Sequence, residues 1–243
     1  MASKTQLTGK HNYVEFKEQA IVERVRKMVA MRDSLDASKL RVKFSYGNRK
    51  TGRLVTSVSL IPVADCGNCS MCARGCYDVR NVCYTATSQM QRANNSAIYK
   101  ADPVEFMRQV EEEIRFSSFF RFFVGGDLKE PAMLTAMVAI AERQKTCQIL
   151  MFTKMYDIVN GYLDDHPEGF PSNLHIILSG WRGDKDVNRH NLPVSSPVWK
   201  DGERSCMVTG RVHWCEGNCT VCAITGQGCW VAGKGDTILF EAH

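Results

Sequence analysis

The sequence predicts an α/β fold on a mostly parallel sheet, wound like part of a TIM barrel, with an N-terminal helix and cysteine-rich metal-binding loops. Strand-like and helix-like segments alternate between residues 54 and 178, and such alternation favours parallel pairing because each crossover returns the chain to the same end of the sheet. The other observation is the cysteine distribution: 10 of 11 fall in two groups, residues 66–83 and 206–229. A length of 243 residues suits one fold with appendages. With 44% hydrophobic and 23% charged residues, disordered and fibrous classes are excluded.

Residues 14–36 have a helical pattern, with Ile21, Val25, Met28 and Val29 forming an apolar face and Glu23, Arg24, Lys27 and Arg32 more exposed. Residues 54–63 have strand character and run into Cys66, which places the first cysteine group on a loop after a strand. Asp102, Pro103 and Glu105 form a helix start, and Val104, Met107, Val110 and Ile114 give that helix its apolar face. The aromatic run 119–124 reads as a buried strand ended by Gly125, Gly126 and Asp127. Pro131 opens the next helix, followed by a strand at 149–152, a helix around Ile158 to Tyr162 and a strand at 174–178. Residues 184–204, rich in Asp, Asn, Pro and Ser, read as a long loop. Ligand sites of parallel folds lie at the carboxyl ends of strands, where Cys66, Asp127, Lys154 and Trp181 fall.

No apolar run approaches the roughly 18–20 residues a bilayer span needs, and residues 1–10 lack the apolar stretch of a secretory signal. A cytoplasmic protein without membrane contact is expected. In a reducing compartment clustered cysteines are metal ligands or redox groups more often than disulfides. The net charge of +5 permits nucleic acid as a partner but lacks the basic stripe of a dedicated binder. An unknown small-molecule or macromolecular substrate is the other option.

Cys66, Cys69, Cys72 and Cys76 have x2, x2, x3 spacing, with Cys83 further on, so four thiolates can converge on one centre. The series matches a bacterial ferredoxin run, except that Tyr77 stands where proline would follow. The second group is Cys206, Cys215, Cys219, Cys222 and Cys229. Its spacing suits a closed centre, either zinc or an auxiliary iron–sulfur cluster. His213 is a further candidate ligand, while His243 is too terminal to weigh and Cys147 reads as a small buried apolar residue. Lys154 and Arg182, each after a strand, are candidates for holding a substrate anion.

From about residue 42 onward the chain resembles the gene product 88 family of phages and mobile elements. The matching pieces are Phe44-Ser-Tyr-Gly-Asn-Arg-Lys-Thr-Gly52, Cys66 with Cys72 and Cys76-Tyr77, Gly126-Asp127, Phe152-Thr153-Lys154, and the tail from Cys206 through Cys219, Cys222 and Cys229-Trp230 to Phe240 and His243. The extra Cys69 and Cys215 depart from the family pattern, and the resemblance implies no established activity. The layout of strand, cysteine loop and Gly-Gly-Asp strand end is also similar to radical S-adenosylmethionine barrels. That second resemblance implies a 4Fe-4S cluster and S-adenosylmethionine as cofactors, with Gly125, Gly126 and Asp127 receiving the cofactor's amino group and Lys154 or Arg182 holding substrate. The x2, x2, x3 spacing departs from the x3, x2 spacing of those enzymes, and Gly-Gly-Asp as a plain turn is the simpler alternative.

The expected organisation is an N-terminal helical extension over residues 1–40 and a single α/β domain over 41–243, whose cysteine-rich segment spans 205–230. The leading reading is an iron–sulfur protein, possible radical chemistry included. Its rival is a zinc-stapled module that binds nucleic acid or protein without catalysis.

Overall fold

The computed structural model of the chain describes residues 19–47, 51–67, 86–180, 187–198, 202 and 207–241. Seven strands form one open, all-parallel sheet: β1 (Val55–Ser57), β2 (Phe119–Phe122), β3 (Gln148–Thr153), β4 (Leu174–Ser179), β5 (Val194–Val198), β6 (Val212–Trp214) and β7 (Thr237–Glu241). The order β1-β2-β3-β4-β5-β7-β6 keeps the first five strands in sequence, as in a partial barrel. Crossovers that all step in one direction carry their helices to one face. Those helices are α2 (Ala86–Ala101), α3 (Pro103–Ile114), α4 (Pro131–Arg143) and α5 (Tyr156–Asp165), with α1 (Gln19–Asp33) packed on α2.

The capping chemistry at Asp102 sets the start of α3, where Oδ1 accepts from the Glu105 amide at 2.9 Å and Pro103 occupies the first turn. The helix then buries Phe106, Met107, Val110 and Ile114. Strand alternation divides the sheet into two faces. Phe120, Phe122, Ile149, Met151, Ile176 and Leu178 face the helices in the main core, which also takes Val25 and Met28 of α1. Burying each such phenylalanine stabilises the fold by about 1.5–3 kcal/mol. The other face carries Val55, Arg121, Leu150, His175, Ile177 and Ile238, since Arg121, Leu150 and His175 occupy one row of the ladder. Among the described residues no helix of the crossovers covers this face; the cysteine-rich segment does, through α6 (Cys219–Thr225) and the 3-10 turn Gly228–Trp230.

Two segments differ from the sequence reading. The strand expected over 54–63 pairs as β1 for three residues only. Beyond it the chain still tracks the exit of β2, with the Val58 amide donating to the Arg121 carbonyl and Leu60 to Gly125, and it then turns at Val63, whose φ is 75°. On the outer side of β1, Ser45 and Ser57 exchange two backbone hydrogen bonds of 2.8 and 2.9 Å.

Residues 194–198 are an internal strand rather than part of a loop. Ser195 and Pro197 offer their backbone to the same neighbour, β4. The Ser195 carbonyl accepts from Gly180 at 2.8 Å, and β4 ends there, so Pro197 needs no donor. On its other side β5 pairs with β7 along its whole length.

Candidate metal centre

The turn after α6 brings two cysteines together. Asn218 caps the helix through bonds to the Thr220 and Val221 amides, the Gln227 amide closes back on the Cys222 carbonyl at 2.9 Å, and Gly228 passes 3.5 Å from Cys222 Sγ, measured from where a β-carbon would sit. Cys229 follows directly in the chain and packs against the same apolar cluster as Cys222. Trp230 anchors the turn: its Nε1 donates to the Cys219 carbonyl at 3.3 Å, and its ring meets Phe119 edge-on at 5.2 Å and His175 at 6.1 Å. Cys215 arrives from β6, held by its amide to the Leu239 carbonyl at 2.7 Å.

Four thiols thus share one apolar patch with Phe119, Phe152 and Trp230. Burial pushes the Cys229 thiol far up, and Cys215, Cys219 and Cys222 push in the same direction while Arg121 opposes them. Burial likewise raises Cys222, reinforced by Cys215, Cys219 and Glu216. Among the described residues no group of three or more His, Cys, Asp or Glu side chains is closed up as a ready ligand shell. The donor set itself is chemically apt, because four soft thiolates suit zinc or an iron–sulfur cluster.

Arg121 is the residue here that the sequence reading missed. It projects from β2 with Nη1 4.0 Å from Cys219 Sγ, and its guanidinium carbon lies 4.8 Å from the centre of the Phe152 ring. Its Nε is buried without a hydrogen-bond acceptor, and it makes no ion pair among the described residues. The legible signal was an arginine inside a run of phenylalanines.

The family motif at residues 44–52 meets the same segment. Thr220 Oγ1 donates to the Thr51 carbonyl and accepts from the Leu54 amide, both at 3.1 Å. Gly52 has a φ of +71°, and a β-carbon there would stand 2.2 Å from Thr220 Oγ1, so this close approach requires glycine.

β6 is secured by Asp236, which accepts from the Gly233 amide, His213 Nε2 and Arg211. The Gly233 bond, then those of His213 and Arg211, hold its carboxyl at about 2 against the opposing effect of burial. His213, weighed above as a ligand, is thereby paired with Asp236 at 3.1 Å.

The carboxyl ends of β1, β2 and β3 form a second constellation. Cys66 Sγ accepts from the Val63 amide at 3.3 Å, and Gly67 donates to the Leu128 carbonyl at 2.8 Å, which ties the first cysteine loop to the Gly-Gly-Asp turn. Within that turn Gly126 has a φ of +86° and lies against Leu60. Gly125 packs against the guanidinium of Arg92. Asp127 is 5% exposed, with Oδ1 accepting from the Leu128 amide at 2.7 Å and Oδ2 from the Lys154 amide at 2.9 Å. Burial raises its carboxyl, opposed by the Lys154 charge and by hydrogen bonds from Thr153, Lys154 and Leu128. Asp127 thus clamps the exit of β2 to the exit of β3.

Cys147 is fully buried in the main core, its thiol pushed up to about 12 by burial. Cys69, Cys72, Cys76, Cys83, Trp181, Arg182, Cys206 and His243 lie outside the described residues.

The chain matches the family described as Gene product 88 over residues 11–235. The chain belongs to this family. No curated protein matches it, and no solved structure does. The gene product 88 match includes both constellations, from Cys66 to Cys229. No helix among the described residues is long and apolar enough to cross a membrane.

Proposed function

We propose that this gene product 88 protein is a metalloprotein in which Cys215, Cys219, Cys222 and Cys229 close as thiolates around an iron–sulfur centre on the face of the sheet opposite the crossover helices. The observation that carries the reading is the gathering of those four cysteines on one apolar cluster with Trp230 and Phe119, where burial first, and then their neighbours, make Cys229 and Cys222 harder to ionise. One cation relieves all four at once, and metal binding then becomes folding energy for the segment that carries them. Iron–sulfur chemistry is favoured over zinc by the ferredoxin-like spacing of the other group, Cys66, Cys69, Cys72 and Cys76.

The same reading gives a second cluster to that first group, at the strand-end rim. The tie between Gly67 and Leu128 supports it by setting the first cysteine loop beside Asp127. S-adenosylmethionine chemistry would belong at this rim, with Gly125 and Gly126 offering backbone to the cofactor and Lys154 or Arg182 a positive charge to substrate. Asp127 would act there by fixing the turn.

The test is iron, zinc and acid-labile sulfide analysis of protein purified without oxygen, with electron paramagnetic resonance before and after reduction. Iron with sulfide is expected, part of it lost in Cys222→Ser and in Cys229→Ser. Zinc without sulfide would overturn the iron assignment and favour the zinc-stapled module, whose mark is salt-dependent association with nucleic acid. Protein free of both metals would overturn the centre itself.

A further inference from the structure

Arginine is rarely taken out of water without an anion, because desolvating the guanidinium is costly unless its charge and its donors are matched. Arg121 is half-buried, and the buried part of its guanidinium breaks that rule among the described residues. Its Nε is buried without an acceptor, it has no carboxylate partner, and its guanidinium lies over the apolar face of Phe152. The ring attracts the cation but does not neutralise it. Cys219, which can carry negative charge as a thiolate, has its Sγ 4.0 Å from Nη1, and Cys215, Cys222 and Cys229 share the same patch.

A metal bound by four thiolates carries net negative charge, which these half-buried, apolar surroundings screen less than open water would. Cation and centre are therefore complementary, each supplying what the other lacks. We infer that Arg121 is the counter-charge and outer hydrogen-bond donor of the four-cysteine centre, acting on the metal through Cys219. The inference rests on the proposed thiolate centre. Arg121 is a positioning residue in this role, since its contact is with the ligand sulfur. Its place on β2, a strand fixed by two neighbours, holds the charge at a constant position while the cysteine segment closes.

The experiment uses the full chain, stripped of metal under reducing conditions and titrated with Co(II) against a competing chelator. The thiolate-to-cobalt charge-transfer band is followed, and the part of it that Cys219→Ser removes reports this centre. Loss of an outer-shell partner typically weakens metal binding about 10–100-fold. Arg121→Met should weaken Co(II) binding at this centre by that factor, and Arg121→Gln, which keeps amide donors, by nearly as much. Arg121→Lys should recover most of the affinity because it restores the charge. Wild-type affinity in Arg121→Met and Arg121→Gln would overturn the role of Arg121 while leaving the centre standing. A lysine variant as weak as the glutamine variant would overturn the charge argument. Absence of the band in the wild-type chain would overturn the centre and the role of Arg121 with it. Should Arg121→Met fail to fold, the comparison of the lysine and glutamine variants decides the question alone.

Discussion

The strand-end rim and the sheet face that carries the cysteine segment are built by opposite means. At the rim a polar clamp positions the loops: Asp127 spends both carboxylate oxygens on the amides of Leu128 and Lys154. Across the other face position is set by packing, with Trp230, Phe119 and Phe152 surrounding thiols whose hydrogen bonding is sparse. A hydrogen-bonded clamp fixes geometry before any ligand arrives, whereas an apolar nest of thiols draws its final arrangement from what it binds. The two regions should therefore fail differently.

The largest expected effect comes from the rim. Asp127→Ala strands two backbone donors in a buried site, and each unsatisfied donor costs about 1–3 kcal/mol. We expect a loss of about 2–4 kcal/mol in chemical denaturation, with the metal associated with Cys219 retained in the folded fraction. Metal loss equal to that of Cys219→Ser would show that the two regions are one unit and break the contrast.

Asp236 gives a sharper test because its effect depends on pH. Its carboxyl lies at about 2 in the folded chain, below its unfolded value of 3.8. A depressed carboxylate contributes stability that is fully present above the unfolded value and is lost as pH falls through the folded one. The shift corresponds to about 2 kcal/mol. Asp236→Asn should lower stability by roughly that amount at pH 6 and by progressively less between pH 4 and pH 2, followed by urea midpoints. A pH-independent difference would mean that Asp236 holds β6 by shape alone.

The smallest effect is expected at Gly52, where the family motif touches the cysteine segment. Gly52→Ala meets an unfavourable φ and the Thr220 side chain, so a loss of about 1 kcal/mol or somewhat more is expected. Its Co(II) affinity should fall with it, since Thr220 lies next to Cys219. Unchanged affinity would detach the motif from the centre.

Much of the sheet was legible because its signals are local. Asp102 and Pro103 announce α3, Pro131 announces α4, and the apolar runs at 119–124 and 149–152 mark strands whose two faces are both covered. The strand-end placement of Cys66, Asp127 and Lys154 followed from alternation alone. What escaped depends on distant partners. α2 carries Asn94, Asn95 and Ser96, weak helix formers, yet buries Asn95 so that its side chain bonds both the amide and the carbonyl of Lys43. β5 contains two serines and a proline, a composition that reads as loop until β4 is seen to end beside Pro197. Arg121 could be noticed in sequence but not explained, because the thiols it faces lie about a hundred positions further along the chain.

The position of β7 has a consequence for how the protein is made. β7 lies between β5 and β6, so β6 joins the sheet only through a strand that leaves the ribosome after it. Until β7 pairs, Cys215, Cys219 and Cys222 have no strand to dock them and are open to oxidation or to capture by whichever soft metal is free. Residues 237–241 must seat beside β5 before β6 has a partner, so the dock for the cysteine segment over Arg121 depends on that pairing.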